Sequence, residues 1–317
     1  MSNKTKLLID NIEKIIVGKR PSIERVLAAM LCGGHILIED VPGVGKTRLV
    51  SALAKSVDGR FNRIQLTPDI MPSDIVGFSM INPDTRELEY KQGAAMCNFM
   101  LADEINRASP KTQSAMLETM QERTVTLMGV TRPLPKPFFV LASQNPIELE
   151  GTYPLPEAQT DRFIFKLHVS PPDAATLTAI ITTRSHGDMP ESGFSLGRDS
   201  LERALDTVGK VLLPEAVANW IGRLVAATHS AKYVTCGASP RAAIAMAEAA
   251  RAVALLDGRP SVGFDDVRAV AIPVLNHRLI PSYQARLDHR TPASLAESLL
   301  AAVSESGLDL PDSVRVG

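Results

Sequence analysis

Several things are scarce in this 317-residue sequence, and each scarcity removes a class of function. Its three cysteines, Cys32, Cys97 and Cys236, stand far apart and form no paired metal-ligand spacing. They read as buried apolar residues in a reducing compartment, and nothing suggests zinc. Aromatic residues make up only 4%, too few for a surface on which bases would stack. Neither charge sign dominates: 34 lysines and arginines meet 35 aspartates and glutamates, without a long run of either. Nucleic acid is therefore not an expected partner. No run approaches the ~18 apolar residues of a membrane span. The amino terminus, MSNKTKLLIDNIEKII, has amphipathic helical spacing and no small-residue cleavage site, so the chain is expected to be cytoplasmic.

What is present is a 45% hydrophobic chain, long enough for a substantial core divided between two domains. Residues 1–170 alternate short apolar strands with helical patterns, which predicts a parallel sheet covered by helices. Strands are expected near 35–39, 61–66, 97–102, 138–144 and 163–169. Two segments interrupt the alternation and read as projecting insertions. In 71–93 the turn Asn82-Pro83-Asp84 separates β-compatible flanks; in 122–137, Val125 to Thr131 alternates about Gly129 as a hairpin does. Composition shifts at Pro171-Pro172, and the glycine-bearing stretch 187–200 reads as a linker. Helical spacing follows over 214–232, 239–257 and 263–279, the second starting at Ser239-Pro240 and stopping at Asp257-Gly258.

The first strand runs into Asp40-Val41-Pro42-Gly43-Val44-Gly45-Lys46-Thr47 and then a helical pattern beginning at Arg48. Gly43 and Gly45 let the backbone curl so that successive N–H groups point inward, and the next helix adds its positive amino end. Lys46 can reach the β- and γ-phosphates of a nucleotide, and the Thr47 hydroxyl can ligate Mg²⁺. Pro42, Gly43, Val44, Gly45, Lys46, Thr47 and Arg48 are the candidate phosphate-binding residues.

The third strand ends in Asp103-Glu104. An acid at that end, beside a phosphate loop, can hold Mg²⁺, and its neighbour can polarise the attacking water. Read blandly, the pair only favours the dipole of a helix starting near Ser109. The fourth strand ends in Asn145-Pro146, where an amide could bond both the γ-phosphate and the lytic water, although Asn-Pro is also an ordinary turn.

With these residues assembled, the sequence resembles the MoxR family of AAA+ ATPases over nearly its whole length. The stretches that carry the resemblance are Ile16-Val17-Gly18-Lys19, EDVPGVGKT, LTPDIMPSDIVG, LADEINRASPKTQSAMLETMQE, ASQNP, YPLPEAQTDRF, GASPRA and NHRL. Lys19 stands where the family usually has Gln, and Asp40 where it often has Gly. The resemblance implies an α/β fold of the P-loop NTPase (AAA+) type, a parallel five-stranded sheet of order 5-1-4-3-2 with hairpin insertions, followed by an all-α lid domain. Residues 1–186 would be the nucleotide domain, 187–200 the linker and 201–317 the lid.

It implies roles as well. Val17 and Gly18 would lie near adenine, Thr47 and Asp103 would hold Mg²⁺, Glu104 would orient water and Asn145 would be the first sensor. Arg162 would be an arginine finger toward a neighbouring subunit's ATP, with Arg107 as runner-up, and Arg241 the second sensor. The implied setting is a homo-oligomer, a hexameric ring, with a von Willebrand A domain protein and a client protein as partners. A chelatase-type ATPase subunit, a nucleic-acid-associated motor and an ATP-dependent scaffold are the competing readings. For His277 a packed position in the lid is the simpler expectation.

Overall fold

The computed structural model describes residues 2–15, 18–39, 46–145, 151–168, 174–183 and 197–305. The chain divides into two compact units, one formed by Asn3–Phe163 with Leu167–Leu205, the other by Ile164–Lys166 with the chain from Asp206 onward.

In the first unit the order is α1 (Ser2–Ile15), α2 (Arg20–Leu31), β1 (Ile36–Glu39), α3 (Lys46–Ser56), β2 (Phe61–Gln65), α4 (Pro72–Val76), β3 (Phe78–Ile81), β4 (Leu88–Lys91) and β5 (Phe99–Asp103). A 3₁₀ turn, Ile105–Arg107, leads to α5 (Pro110–Glu122), β6 (Thr124–Leu127), β7 (Val130–Pro133), β8 (Phe139–Gln144), α6 (Glu157–Thr160), β9 (Phe165–His168), α7 (Ala174–Thr183) and α8 (Arg198–Val208). The five core strands fall within two residues of their expected bounds, and the sheet order is β2-β5-β8-β1-β9. Counted along the chain, that is 5-1-4-3-2.

β2, β5, β8 and β1 pair in parallel. At the edge, His168 at the end of β9 meets Glu39 at the end of β1, as parallel neighbours do. β5 is buried at every position, and Ile36, Leu37 and Ile38 of β1 are at most 2% exposed. Such strands are covered on both faces, so their side chains need not alternate in polarity. Among the covering helices, α3 packs on β5 and β2. On α1, Leu8, Ile9 and Ile12 face inward, and Arg20 at the start of α2 pairs with Asp10 and Glu13 of that helix.

Both insertions are hairpins. β3 and β4 pair antiparallel across the Asn82-Pro83-Asp84 turn, and the side-chain oxygen of Asn82 accepts from the N–H of Asp84 at 2.9 Å. β6 and β7 pair across Met128-Gly129, both at positive φ. The guanidinium of Arg132 on β7 stacks over the ring of Tyr90 on β4, 4.3 Å from its centre.

The second unit contains α9 (Glu215–Thr228), β10 (Val234–Cys236), α10 (Pro240–Leu256), α11 (Phe264–Leu275), β11 (Ile280–Pro281), α12 (Tyr283–Leu287) and α13 (Pro292–Ala302). Among the described residues it is mainly helical, with one antiparallel pair, β10 with β11, and a single bridge between Leu212 and Ser261. Those segments are too short to register as period-2 strands, which is why an all-α region was expected. Small residues let α10 approach its neighbours closely: Ala242, Ala245, Ala249, Ala250, Ala252 and Ala254 are all buried. Trp220 anchors α9, its ring edge-on to Phe264 and its Nε1–H donating to the carbonyl of Val303 at 3.0 Å.

His277 is 9% exposed and packed, as expected of a lid histidine. The cysteine expectation needs a correction. None of the three forms a disulfide, but only Cys97 is buried; Cys32 is half-buried, and Cys236 is exposed because it ends the short strand β10. Of the expected linker 187–200, residues 187–196 lie outside the described residues, as does the Pro171-Pro172 junction, while Arg198 to Ser200 already belong to α8.

Candidate active site

Parallel pairing brings the carboxyl ends of the strands to one edge. Gln65 is in register with Asp103, and Glu39 with Gln144. The first helix after β1, α3, starts seven residues beyond Glu39 and therefore begins at that edge. Polar and charged side chains gather there after the otherwise apolar strands β1, β5 and β8.

Asp103 is 6% exposed. Its Oδ1 accepts from the Ser143 hydroxyl at 3.1 Å, and its Oδ2 accepts from Nε of Arg63 at 2.8 Å. A carboxylate so buried needs such partners. The next residue, Glu104, has left-handed backbone angles (φ 59°, ψ 52°), which a residue with a Cβ adopts only when its surroundings insist. Its N–H donates to the same Ser143 hydroxyl at 3.1 Å, and its carboxylate accepts from Arg107 at 3.1 Å.

The turn that follows is tied on several sides. Asn106 and Asn145 bond reciprocally: Nδ2 of Asn106 donates to the carbonyl of Asn145 at 3.2 Å, and the N–H of Asn145 donates to Oδ1 of Asn106 at 3.4 Å. Gln113, from α5, donates to the carbonyls of Ile105, Ala108 and Tyr153. Ser109 caps α5, accepting from the N–H of Thr112. At the neighbouring strand ends Glu39 accepts from Gln144 at 2.8 Å and lies 3.1 Å from His168.

Asp103, Glu104 and Asn145 are therefore brought together, through Ser143 and Asn106. Lys46, Thr47 and Arg48 form the first turn of α3 and are half-buried. Pro42, Gly43, Val44 and Gly45, like Val17, lie outside the described residues. Gly18 has φ +75°, and a Cβ there would come within 2.9 Å of Oγ1 of Thr176, so glycine is required on two counts.

Arg162 joins none of these bonds. It stands just after α6, half-buried, on the wall of a cleft of about 310 Å³ that it shares with Gln159 and the Ser114, Leu117, Glu118, Gln121 and Glu122 face of α5. Among the described residues its guanidinium has no hydrogen-bond or ion partner. Arg107, the runner-up finger, is already engaged with Glu104. Arg241 is the second residue of α10 and is exposed in the second unit.

Sequence reasoning named neither Ser143, Asn106 nor Arg63. Ser143 is a polar residue closing an otherwise apolar strand, a signal that was there to be read; Asn106 and Arg63 stand among polar neighbours and give none. The profile of the ATPase family associated with various cellular activities (AAA) matches residues 35–165, and the AAA lid domain profile matches residues 226–298. The chain is 42% identical over 305 residues to the chaperone MoxR1 of Mycobacterium tuberculosis, covering 93% of this chain and 81% of that one.

This chain belongs to the MoxR family of AAA+ ATPases. It is also 43% identical to the uncharacterised protein YeaC of Bacillus subtilis, over 93% of this chain and 92% of that one. A crystal structure from Cytophaga hutchinsonii, whose name marks an inferred ATPase, superposes with a TM-score of 0.89 at 40% identity, covering 96% of this chain and 95% of the other. The AAA-type domain and the lid-type helical region are thus those of this family. Among the described residues no helix is long and apolar enough to cross a membrane.

Proposed function

We propose that the chain is a Mg²⁺-dependent ATPase that works as a subunit of a hexameric ring and remodels or matures client proteins beside a von Willebrand A domain partner. The observation that carries the reading is the acid pair: a buried carboxylate at the end of β5, followed by a glutamate held in a strained left-handed turn at the edge where α3 begins.

The donor set suits the ligand. Asp103 and Thr47 offer the hard oxygen atoms that Mg²⁺ prefers, and Asp103 keeps lone pairs beyond those used by Ser143 and Arg63. When bound, Mg²⁺ would supply charge neutralisation on the phosphates. Pro42, Gly43, Val44, Gly45, Lys46, Thr47 and Arg48 would bind the phosphates, Lys46 adding a positive charge, and Val17 with Gly18 would serve the adenine. Glu104 orients and polarises the lytic water, and Asn145 holds the same water and the terminal phosphate. Arg162, whose guanidinium has no partner among the described residues, reaches into the neighbouring subunit's site, and Arg241 senses nucleotide from the lid. On this reading 1–186 is the nucleotide domain, 187–200 the linker and 201–317 the lid. The mycobacterial relative is named a chaperone, which supports action on client proteins.

The test is co-assembly of two inactive variants. Lys46→Ala should lose ATP binding, and Arg162→Ala should bind ATP but hydrolyse it about 10³-fold more slowly, the lower end of what a finger contributes. Mixed assemblies should recover part of the wild-type rate, because some interfaces pair an intact Lys46 with an intact Arg162. Co-assembled mixtures that stay as inactive as their parents would refute action between subunits.

A further inference from the structure

A single buried hydroxyl connects the two acids to the sensor strand. Ser143 is 1% exposed and lies on β8, the strand between β5 and β1. It is in register with Ile38 of β1 and two residues before Asn145. Its proton goes to Oδ1 of Asp103, and its oxygen accepts the N–H of Glu104, both at 3.1 Å. Those two bonds cross from β8 to β5 at the point where β5 stops being a strand and turns into the left-handed residue.

We propose that Ser143 is the positioning residue of the hydrolytic pair: its hydroxyl orients the Asp103 carboxylate and holds the left-handed backbone at Glu104, so that one atom of β8 sets both acids relative to Asn145. The inference rests on the reading of Asp103 as metal ligand and Glu104 as water-orienting base.

The physical case has three parts. Asp103 is pulled from opposite sides, by Arg63 on β2 and by Ser143 on β8; without the hydroxyl only the Arg63 pull remains, and the carboxylate turns toward β2. The Glu104 backbone occupies a sparsely populated region that persists only where contacts over-determine it, and the bond to Ser143 is a contact made by its own N–H. Deleting the hydroxyl also leaves that N–H without this acceptor, which favours relaxation of the turn. The Glu104 side chain is then aimed differently although every residue assigned to chemistry is present. Displacements of about 1 Å in such a group cost on the order of 10²-fold in rate.

The experiment compares wild type, Glu104→Gln, Ser143→Ala and Ser143→Thr in ATP turnover, with Mg²⁺ titrated. Ser143→Ala should lower kcat about 10- to 100-fold and raise the half-saturating Mg²⁺ concentration. Its KM for ATP should stay within about threefold, because the phosphate loop is untouched. Ser143→Thr, which keeps the hydroxyl, should recover most of kcat. Should the added methyl group of threonine unfold the chain, the split between kcat and KM in Ser143→Ala decides alone.

A Ser143→Ala rate within twofold of wild type, with Glu104→Gln stalled, overturns the role of Ser143 and leaves the ATPase reading standing. A Ser143→Ala chain whose KM rises as far as its kcat falls marks a merely structural serine and overturns the proposal too. A Glu104→Gln chain that turns over like wild type sinks the reading of the acid pair, and this inference with it.

Discussion

At the amino ends of β1 and β5 the buried polar side chains, His35 and Asn98, are neutral and bond to backbone; at the carboxyl ends of β1, β5 and β8 acidic side chains join the neutral Ser143, Asn106 and Asn145. His35, just before β1, accepts the N–H of Val140 on Nδ1 at 3.0 Å, so its proton sits on Nε2 and is donated to the carbonyl of Met120 at 3.0 Å. Asn98, just before β5, accepts the N–H of Arg60 and donates to the carbonyls of Lys136 and Pro137. The other end holds Asp103 against Arg63, Glu104 against Arg107, and Glu39 against Gln144 and His168, with a strained backbone among them. Neutral groups paired inside the fold stabilise it and leave nothing for a ligand to add. Carboxylates held by partly exposed side chains keep charge available to an arriving cation. One sheet thus separates stability from reactivity by strand direction, as ligand sites at the carboxyl edge of open α/β sheets do generally.

The comparison is most exposed to failure at Glu104. Glu104→Gln should lower ATP turnover about 10²–10⁴-fold, the usual worth of a general base. The amide keeps the size and the left-handed backbone of the glutamate, so ATP affinity and the thermal midpoint should stay near the wild-type values. Turnover assays read the first effect, and nucleotide titration with thermal unfolding the second. A Glu104→Gln chain that melts markedly earlier would show that the carboxyl edge also supports the fold, and the separation would be lost.

How much of this arrangement could be read in advance depends on how local it is. The Gly43-Val44-Gly45-Lys46-Thr47 run, the acids closing an apolar strand and the turn at Asn82-Pro83-Asp84 are each written in a few consecutive residues. So are the helix starts at Ser109-Pro110 and Ser239-Pro240, both of which the structure uses. The bonds that unite the edge are different. Arg63 with Asp103, Ser143 with Asp103 and Asn106 with Asn145 join residues about 40 positions apart, and they depend on which strands become neighbours. The neutral end was hidden for the same reason: His35 and Val140 are 105 residues apart. The exposed position of Cys236 follows from a three-residue strand, too short to leave a periodic trace.

A second way to break the comparison is acid. Burial pushes the His35 imidazole down to about 4 from its ordinary 6.5, against the weaker opposing effect of its bond to Met120. Below pH 6.5 the unfolded chain takes up a proton that the folded chain refuses until about pH 4. The contribution is therefore intact above pH 6.5 and lost progressively as the pH falls through that window, by about 3 kcal/mol in all. Urea unfolding at pH 7, 5.5 and 4.5 should show this slope in the wild type. In His35→Gln the same slope should be smaller by about one proton, because glutamine does not titrate. Equal slopes in the two chains would mean that His35 is not the neutral anchor of the amino end.

The smallest effect sharpens the comparison from the side of stability. Asn98 is 2% exposed, and its amide satisfies three backbone groups of two segments, one N–H and two carbonyls. Asn98→Ala leaves those groups without that amide in a buried setting, where an unmade bond costs about 1–3 kcal/mol, partly relieved wherever water can reach the loop. The expected result is a lower unfolding free energy with kcat for ATP unchanged within about twofold, since the substitution lies a full strand length, ~17 Å, from Asp103. The opposite pattern, normal stability with slowed turnover, would mean that strain placed at the amino end travels along β5 to the acids. The two ends would then be one mechanical unit rather than two chemistries that share a sheet.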